Sequence, residues 1–380
     1  MEMDTHSENT SYWTLQSLAS ADVLVVGGGI VGVSAAISLE ESDPTLKVCI
    51  LDKQVLLLGA SVRNAGFACF GSLSEVLDDI DTMGEAAALE TVSMRWQGLQ
   101  LLRERCTDVE LGYTASGGYE VFGKDDESKS KVLEQRQAVN QLLAPIVGVD
   151  DCFTVEETNL GTTVVNRLEG LLNPSTMMYT LMQKAAALGI QLISGVEVHQ
   201  IDEKKGCLLT SAGSVPYRKL ILATNAWTCK LLPNLQVSPA RNHVLVTSEL
   251  PSVPIDGGYH MDRGYVYFRN IDSRILIGGA RHIVGEAEYT YDMKTSNEEI
   301  KQHLVKVLEE RILAPEAKFE IEYEWTGLLG VGPQKRPILE KYSKDVVIAA
   351  RMGGMGVAIG SFVGKEAATL LLQTSNNEPS

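Results

Sequence analysis

The segment Ala21-Asp22-Val23-Leu24-Val25-Val26-Gly27-Gly28-Gly29-Ile30-Val31-Gly32 decides the fold of this chain. Its apolar run, 23–26, predicts a buried strand. The glycines that follow have the spacing Gly27-x-Gly29-x-x-Gly32, and small and apolar residues at helical spacing continue to residue 40. The segment therefore predicts a strand, a tight turn and a helix, with backbone amides gathered at the helix N-terminus.

A second predicted strand, 47–51, ends at Asp52, which stands twenty residues after Gly32. In a βαβ unit of this kind the glycines let the backbone approach a pyrophosphate, and the acidic side chain accepts hydrogen bonds from a ribose. The glycine spacing alone is weak evidence, whereas the order of strand, turn, helix, strand and acid is specific. We therefore predict a dinucleotide site at 27–52.

Composition limits the classes of protein that remain. The chain has 380 residues and a mass of 41.3 kDa, enough for two domains, and its formal net charge of −16 disfavours a nucleic-acid partner. No apolar run has the length of a transmembrane segment, and 1–11 carries no apolar region of a secretory signal. The six cysteines contain no C-x-x-C pair, so we expect reduced thiols and a cytoplasmic location.

Two later segments have the character of the first. A predicted strand at 219–223 opens onto Thr224-Asn225-Ala226-Trp227, and a predicted strand at 345–350 runs into Arg351-Met352-Gly353-Gly354-Met355-Gly356-Val357 and a helix from about residue 358. Small residues at the ends of buried strands are typical of ligand sites in open α/β sheets. The small, polar segment 59–67 lies where a long cofactor would continue past Asp52, although a plain surface loop also fits its composition.

These patterns predict an α/β protein with two domains. A Rossmann-like cofactor domain with a parallel sheet would comprise 14–72, 165–235 and 326–374. A smaller α+β substrate domain with an antiparallel sheet would comprise 73–164 and 236–325. Residues 1–13 and 375–380 are expected to be tails.

The chain resembles the FAD-dependent amine and amino-acid oxidoreductases, the group that contains D-amino-acid oxidase, glycine oxidase and sarcosine oxidase. Within it the sequence is most similar to the gamma-glutamylputrescine oxidase-like members, which favour Ser-x-Trp ahead of the first strand, where this chain has Ser11-Tyr12-Trp13. The resemblance is colinear over most of the chain. Its motifs are Gly27-x-Gly29-x-x-Gly32 with Asp52, Gly59-Ala60-Ser61-x-Arg63-Asn64-Ala65-Gly66, Gly195-Val196-Glu197-Val198, Ala223-Thr224-Asn225-Ala226-Trp227, Trp325-Thr326-Gly327 and Gly353-Gly354-Met355-Gly356-Val357.

The resemblance implies FAD as the cofactor, with its pyrophosphate on the glycine turn and its flavin beside 353–357. The implied contact residues are Gly27, Gly29, Ile30, Val31, Gly32, Asp52, Lys53, Ala60, Ser61, Arg63, Asn64, Ala65, Gly66, Phe67, Val198, Thr224, Asn225, Ala226, Trp227, Gly353, Gly354, Met355, Gly356 and Val357. Relatives with covalent flavin use a cysteine or histidine where this chain has Leu328, Leu329 and Asn64. We therefore predict FAD bound non-covalently.

The chain departs from the family pattern at the residues that bind the substrate. Glycine oxidase-like enzymes carry an arginine that holds the substrate carboxylate, and Leu329 stands in its place here. Arg336, Arg281 or Arg63 could replace it, although a salt-bridged or solvated arginine is the ordinary role of each. Tyr265 and Tyr267 share a face of one predicted strand, so together with Arg336 they are our candidate substrate-pocket residues, with core aromatics as the alternative.

The implied reaction is oxidation of a small amine or amino acid at its C–N bond, by hydride transfer to flavin N5, giving an imine. Oxygen or a quinone or carrier would reoxidise the flavin. Two alternatives stay open: a 2-hydroxy-acid dehydrogenase, which a histidine beside flavin N5 would favour, and a flavoprotein subunit without turnover. We assign no acid–base residue, and we interpret His243 and His260 as structural.

Overall fold

The computed structural model describes residues 11–55, 59–123 and 126–373. Residues 1–10 of the first predicted tail (1–13), the second predicted tail (375–380) and residue 374 of the predicted cofactor domain lie outside these residues. Tyr12 and Trp13 were assigned to the first tail, but they begin a helix, in which their side chains are 63% and 78% exposed.

The described residues form nineteen strands and eleven α-helices. The strands are β1 (Val23–Val26), β2 (Val48–Asp52), β3 (Phe67–Ala68), β4 (Gly118–Val121), β5 (Phe153–Thr158), β6 (Gly161–Asn166), β7 (Gly170–Leu171), β8 (Gln191–Ser194), β9 (Val198–Asp202), β10 (Cys207–Thr210), β11 (Gly213–Pro216), β12 (Lys219–Leu222), β13 (Ser238–Thr247), β14 (Gly258–Met261), β15 (Val266–Ile271), β16 (Arg274–Gly279), β17 (Ile321–Val331), β18 (Ile338–Ser343) and β19 (Val346–Ala350).

The helices are α1 (Tyr12–Ala19), α2 (Ile30–Ser42), α3 (Ala60–Arg63), α4 (Leu73–Met83), α5 (Glu85–Arg105), α6 (Asp108–Leu111), α7 (Ser128–Val147), α8 (Pro174–Ala187), α9 (Thr228–Leu231), α10 (Glu298–Val307) and α11 (Gly356–Leu372). Short 3-10 helices occupy Asn225–Trp227, Arg281–Ile283 and Gly285–Glu288, and a π-helical turn, Leu308–Ile312, follows α10. None of the described helices is long and apolar enough to cross a membrane.

The first sheet has six strands in the order β18-β19-β12-β1-β2-β8. All its pairs are parallel except β18–β19. Alternate residues of β1 face opposite layers: Val23 and Val25 join a core with α2 and α11, while Leu24 and Val26 join a core with β10 and β11. The predicted α/β fold with a parallel, Rossmann-like sheet is confirmed.

The second sheet has eight strands in the order β17-β13-β16-β15-β14-β4-β6-β5. It is antiparallel, as predicted, apart from one parallel pair, β4–β14. One face packs on α10 through Ile300 and Leu304. The other face looks toward 65–67 and forms a wall of the site described below.

Two predicted domain boundaries fall inside strands. The boundary at 164/165 lies within β6, and the boundary at 325/326 lies within β17. Since β17 pairs with β13 along its length, residues 326–331 belong to the eight-stranded sheet and not to the parallel one. We propose boundaries at 166/167 and 331/332 instead.

Helices α2 and α11 pack closely, and their small residues are the reason. A Cβ on Gly360 would lie 2.7 Å from Ile30 Cγ2, and one on Gly364 would lie 2.6 Å from the carbonyl oxygen of Val31. This contact places the two glycine-bearing turns, 27–32 and 353–356, on the same side of the parallel sheet, where each strand of the site ends.

Candidate functional site

A cavity of about 670 Å³ lies at the carboxyl ends of β1, β2, β12 and β19. All three segments of the parallel sheet contribute to its lining: 26–31 and 51–54, then 223–227, then 352–357 in part. The carboxyl edge is where open α/β sheets bind ligands. We call this the first cavity.

The first glycine turn has no room for side chains. Gly27 has a φ of +110°, and a Cβ on it would overlap the carbonyl group of Ala223. A Cβ on Gly32 would overlap the carbonyl oxygen of Gly27, so Gly32 serves the turn itself and does not line the cavity. Gly29 stands at the N-cap position of α2 and has no side chain to cap the helix. The Ser61 hydroxyl accepts the N–H of Ile30 at 3.0 Å instead.

The carboxylate of Asp52 is fixed beside this turn. It accepts the N–H of Gly28 at 2.6 Å and that of Gln54 at 2.7 Å. The next side chain, Lys53, ion-pairs with Glu197 at 3.8 Å and places Nζ 3.0 Å from the centroid of the Trp227 ring. Partial burial is the main cause that lowers the pKa of Lys53.

The small-residue segment 59–67 is not a plain surface loop, because its residues line two neighbouring cavities. Its short helix α3 is held by Asn64, whose Nδ2 donates to the carbonyls of Ala60 and Ser61 at 3.1 and 2.8 Å, and whose Oδ1 accepts the N–H of Gly66. A second cavity of about 410 Å³ shares Ala60, Asn64, Leu329, Gly354 and Val357 with the first.

One wall of the second cavity is a single row of residues across the eight-stranded sheet. The register places Val244, Gly278, Tyr267 and His260 side by side on β13, β16, β15 and β14. A Cβ on Gly278 would lie 2.7 Å from Tyr267 Oη, so the glycine leaves space for the phenol ring. Asn242 Nδ2 donates to that hydroxyl at 2.8 Å, and burial raises the pKa of Tyr267.

Two of the three predicted substrate residues line this cavity. Tyr267 is on the wall, and Tyr265 is at the rim with 39% of its surface exposed. Arg336 was predicted there, but it lines neither cavity and ion-pairs with Glu90 at 2.6 Å. The loop after β17 turns Lys335 inward in its place, with Nζ 2.8 Å from the buried carboxylate of Asp79.

Sequence analysis interpreted His260 as structural and gave it no place in the site, whereas in the structure it lines the second cavity and is 7% exposed. Its ring packs edge-on against Phe67 at 5.1 Å, and its Nε2 has no hydrogen-bonding partner among the described residues. Burial lowers the pKa of His260, which favours the neutral imidazole. The register of the β14–β15 hairpin, which pairs His260 with Tyr267, is the signal that would have located it.

The remaining predicted contact residues divide between the two cavities. Those that line the first are Gly27, Gly29, Ile30, Val31, Asp52, Lys53, Ala60, Ser61, Asn64, Val198, Thr224, Asn225, Ala226, Trp227, Gly354, Gly356 and Val357. Those that line only the second are Arg63, Ala65, Phe67, Gly353 and Met355. Gly32 and Gly66 line neither; both are points where the backbone passes close to other backbone.

The sequence profile of one protein family, described as "FAD dependent oxidoreductase", matches residues 22–370. The chain belongs to this family of FAD-dependent oxidoreductases.

Relatives of this FAD-dependent oxidoreductase align over nearly the whole chain. A probable oxidoreductase OrdL of Haemophilus influenzae is 23% identical, with 97% of this chain and 87% of the relative covered. Gamma-glutamylputrescine oxidoreductase of Escherichia coli is 23% identical, with 94% and 85% covered. Among solved structures, L-proline dehydrogenase from P. horikoshii superimposes with a TM-score of 0.75 at 18% identity, covering 93% of each chain.

Glycine oxidase from Geobacillus kaustophilus gives a TM-score of 0.73 at 19% identity, with 94% of this chain and 95% of that chain covered. These structural similarities establish the fold, and the family profile establishes the cofactor as FAD.

The residues present in this FAD-dependent oxidoreductase fit the cofactor. Gly353 and Gly354 have φ values of +60° and +94°, and a Cβ on either would meet protein atoms only at ordinary contact distances, 3.7 and 3.8 Å. Backbone with free space beside it suits the close approach of a planar ring. We propose that the glycine turn at 27–31 holds the pyrophosphate, Asp52 the ribose, and 353–357 the flavin.

The start of α11 adds a favourable charge to this arrangement. This helix of 17 residues begins at Gly356 with no side-chain cap, so the first turn of its backbone N–H groups is available to a ligand. A helix N-terminus carries a fixed partial positive charge that stabilises negative charge developing nearby.

Proposed function

We propose that the protein oxidises a small amine or amino acid at its C–N bond, giving an imine, with the substrate bound in the second cavity. One observation carries the proposal: this cavity of about 410 Å³ adjoins the predicted flavin site, because Asn64 and Gly354 line both cavities. When bound, FAD supplies the two-electron acceptor at flavin N5. The similarity to proteins named for gamma-glutamylputrescine, glycine and L-proline supports an amine or amino-acid substrate.

The residues of the cavity orient the substrate and exclude water. Phe67 and Tyr267 meet edge-on at 5.6 Å and give one aromatic wall. Asn242 fixes the Tyr267 hydroxyl, whose own proton remains available to a substrate heteroatom. Because hydride transfer from an amine needs alignment of a C–H bond, positioning of this kind supplies most of the catalysis.

The test is anaerobic reduction of the purified holoenzyme. The flavin absorbance is followed after addition of amines, D- and L-amino acids and hydroxy acids, each over a range of concentrations. The proposal expects saturable bleaching by at least one amine or amino acid. Bleaching by no compound would contradict it and leave a flavoprotein without turnover.

The electron acceptor is tested on the same preparation after reduction. Rapid reoxidation by dissolved oxygen identifies an oxidase, and reoxidation by a soluble quinone alone identifies a dehydrogenase. Both outcomes are compatible with the proposed oxidation of the substrate.

A second candidate, oxidation of a 2-hydroxy acid, is favoured by His260. A hydroxyl substrate must lose its O–H proton, and this neutral imidazole lines the cavity without a hydrogen-bonding partner for Nε2. If this candidate is correct, hydroxy acids bleach the flavin and His260→Asn slows bleaching by about 100-fold or more. If amines bleach the flavin, and His260→Asn changes the rate of that bleaching by less than about threefold, the result favours the first candidate.

A further inference from the structure

An irregular segment, 288–295, contributes to both cavities. It begins at the end of the short 3-10 helix Gly285–Glu288, and its remaining residues belong to no helix or strand. Met293 lines the first cavity, and Tyr289 lines the second. We call 288–295 the bridging segment, because it connects the proposed cofactor site with the proposed substrate cavity.

Tyr291 holds the cofactor end of the bridging segment. Its ring packs at a tilt on the ring of Trp227, with the centroids 4.7 Å apart, and its hydroxyl donates to the carbonyl of Ala226 at 3.1 Å. The thiol of Cys229 lies 2.7 Å from the same hydroxyl. Trp227, Ala226 and Cys229 all line the first cavity. The residues that Tyr291 contacts are therefore residues that a ligand of the first cavity would contact.

A buried carboxylate fixes the other end. Glu288 is 1% exposed and accepts two hydrogen bonds from the guanidinium of Arg241, at 2.8 and 3.0 Å. His243 Nε2 lies 2.9 Å from this carboxylate, and Asn297 Nδ2 donates to it at 2.9 Å. Burial opposes ionisation of Glu288, but these hydrogen bonds outweigh that effect and lower its pKa to about 2. Glu288 is therefore a charged anchor inside the protein at neutral pH.

Strand β13 connects this anchor to the wall of the second cavity. Arg241 and His243 hold Glu288 on one face of the strand, while Asn242 between them lines the cavity on the other face. Asn242 donates to the hydroxyl of Tyr267 on that wall. Arg241 also donates to the carbonyl of Thr295 at 2.7 Å. Three consecutive residues of β13 thus position both the bridging segment and the cavity wall.

The backbone of the bridging segment contributes little to its own order. The N–H groups of Tyr289 and Thr290 donate only to nearby carbonyls, those of Glu286 and Glu288, at 3.0 Å each. The side chain of Tyr289 is 52% exposed. Irregular backbone with exposed side chains belongs to the part of a protein that opens at low free energy. The order of the bridging segment therefore depends on the side-chain contacts at its two ends.

We propose that FAD in the first cavity completes the second cavity, because it fixes Tyr291 through Trp227 and thereby fixes Tyr289 at the cavity rim. The inference rests on the proposed position of FAD and not on the proposed reaction. Without FAD the bridging segment opens more often, and the rim of the second cavity opens with it. Tyr291 is accordingly a positioning residue for the second cavity, although it does not line that cavity.

Hydrogen exchange measured by mass spectrometry on the apoprotein and the holoprotein tests this coupling. Three peptides are followed: the rim peptide (285–290), the contact peptide (291–297) and the turn peptide (27–31), which reports the cofactor itself. A fluorescence titration gives the Kd for FAD of each protein, so that all are compared with the cofactor site saturated.

Four variants complete the design. Tyr291→Ala removes the contact with Trp227, and Tyr291→Phe removes only the contacts of the hydroxyl. Tyr289→Ala removes the side chain at the cavity rim. Tyr342→Ala, on β18, is the control, because it removes a partly exposed tyrosine outside the bridging segment.

In the wild type we expect FAD to slow exchange of the rim peptide by about tenfold or more, in addition to slowing exchange of the turn peptide. Tyr291→Ala should keep the effect on the turn peptide and lose the effect on the rim peptide, and Tyr291→Phe should lose part of it. Tyr289→Ala should keep the effect on the contact peptide, since the packing on Trp227 remains. Tyr342→Ala should give the wild-type result for all three peptides.

The outcomes separate this inference from the proposed function. If FAD slows exchange of the turn peptide and leaves the rim peptide unchanged in the wild type, the inference is overturned. Equal slowing of the rim peptide in the wild type and in both Tyr291 variants also overturns it, because FAD then acts by another route. No effect on the turn peptide contradicts the proposed position of FAD and the inference together. Failure of amines to bleach the flavin contradicts only the proposed function.

Discussion

Arg269, on β15, connects Gly66 to the eight-stranded sheet by a hydrogen bond. Its Nη1 donates to the carbonyls of Ala65, Gly66 and Leu172 at 3.1, 3.3 and 2.9 Å. Burial lowers the pKa of Arg269 to about 10, which still leaves it charged at neutral pH. The segment that lines both cavities is therefore positioned by a side chain of β15.

The first prediction concerns Gly66→Ala. Gly66 has a φ of +78°, and a Cβ there would lie 2.6 Å from Arg269 Nη1 and overlap the carbonyl of Leu172. We expect the free energy of unfolding to fall by more than about 2 kcal/mol, and FAD affinity to fall with it. Denaturant unfolding with and without FAD measures both. Gly123→Ala, whose added Cβ meets only ordinary contacts at 3.7 Å or more, is the control.

The second prediction concerns Asp52→Asn. Because the carboxylate is oriented by the N–H groups of Gly28 and Gln54, it is ready to accept hydrogen bonds from a ribose. Losing its charge should raise the Kd for FAD by about 10- to 100-fold. Fluorescence titration of the apoprotein gives the value. Asp150→Asn, at an exposed position, should have the wild-type Kd for FAD. An unchanged Kd for Asp52→Asn would show that Asp52 does not bind the cofactor.

The third prediction is that all the flavin dissociates on denaturation. Leu328, Leu329 and Asn64 offer no nucleophile, and the nearby thiol of Cys69 is buried, with desolvation raising its pKa well above the usual value. A thiol of that kind has little thiolate to react. Acid precipitation should leave a colourless pellet. Should the pellet stay yellow, Cys69→Ser would show whether Cys69 is the point of attachment.

The fourth prediction is a pH dependence of stability that depends on Glu169. Burial raises the pKa of this carboxyl to about 8, while the N–H groups of Phe70 and Gly71 oppose the shift. The native state therefore holds a proton that the unfolded state loses near pH 4.5, so stability falls as pH rises toward 8. The fall approaches ~1.4 kcal/mol per pH unit for one such group.

Glu169→Gln removes that proton equilibrium, so we expect its stability relative to wild type to improve steadily as pH rises from about 5 to 8. Denaturant unfolding across this range is the measurement. Glu120, whose pKa burial raises to about 7, contributes in the same direction and remains in both proteins. Exposed Glu203→Gln should follow the wild-type curve, and parallel curves for Glu169→Gln would refute the assignment.

The cofactor half of the site could be predicted because its signals are local. Gly27, Gly32 and Asp52 lie within 26 consecutive residues, and the spacing itself reflects a turn without room for Cβ atoms. The segment around Gly354 carries the same kind of local signal. The parallel sheet, the small-residue segment and the two glycine turns follow from these patterns.

The substrate half could not be predicted in the same way, because it depends on register and on pairing of charges. The sequence offers no reason to prefer Arg281 over Arg336, and only their neighbours in the structure distinguish them. Arg336 ion-pairs with Glu90, whereas no carboxylate among the described residues ion-pairs with Arg281. His260 enters the cavity through its alignment with Tyr267 across a hairpin. The hairpin β5–β6, rich in polar residues, was also missed.

The parallel sheet joins β1 to β12 and β12 to β19, strands separated by nearly 200 and more than 120 residues along the chain. A nascent polypeptide leaving the ribosome thus presents its first glycine turn long before 346–372 has been translated. Until then β12 has an unprotected edge and α2 lacks α11. Because the proposed flavin contacts include 353–357, we expect cofactor binding to follow synthesis of this segment, and the incomplete chain to be the form most prone to aggregation.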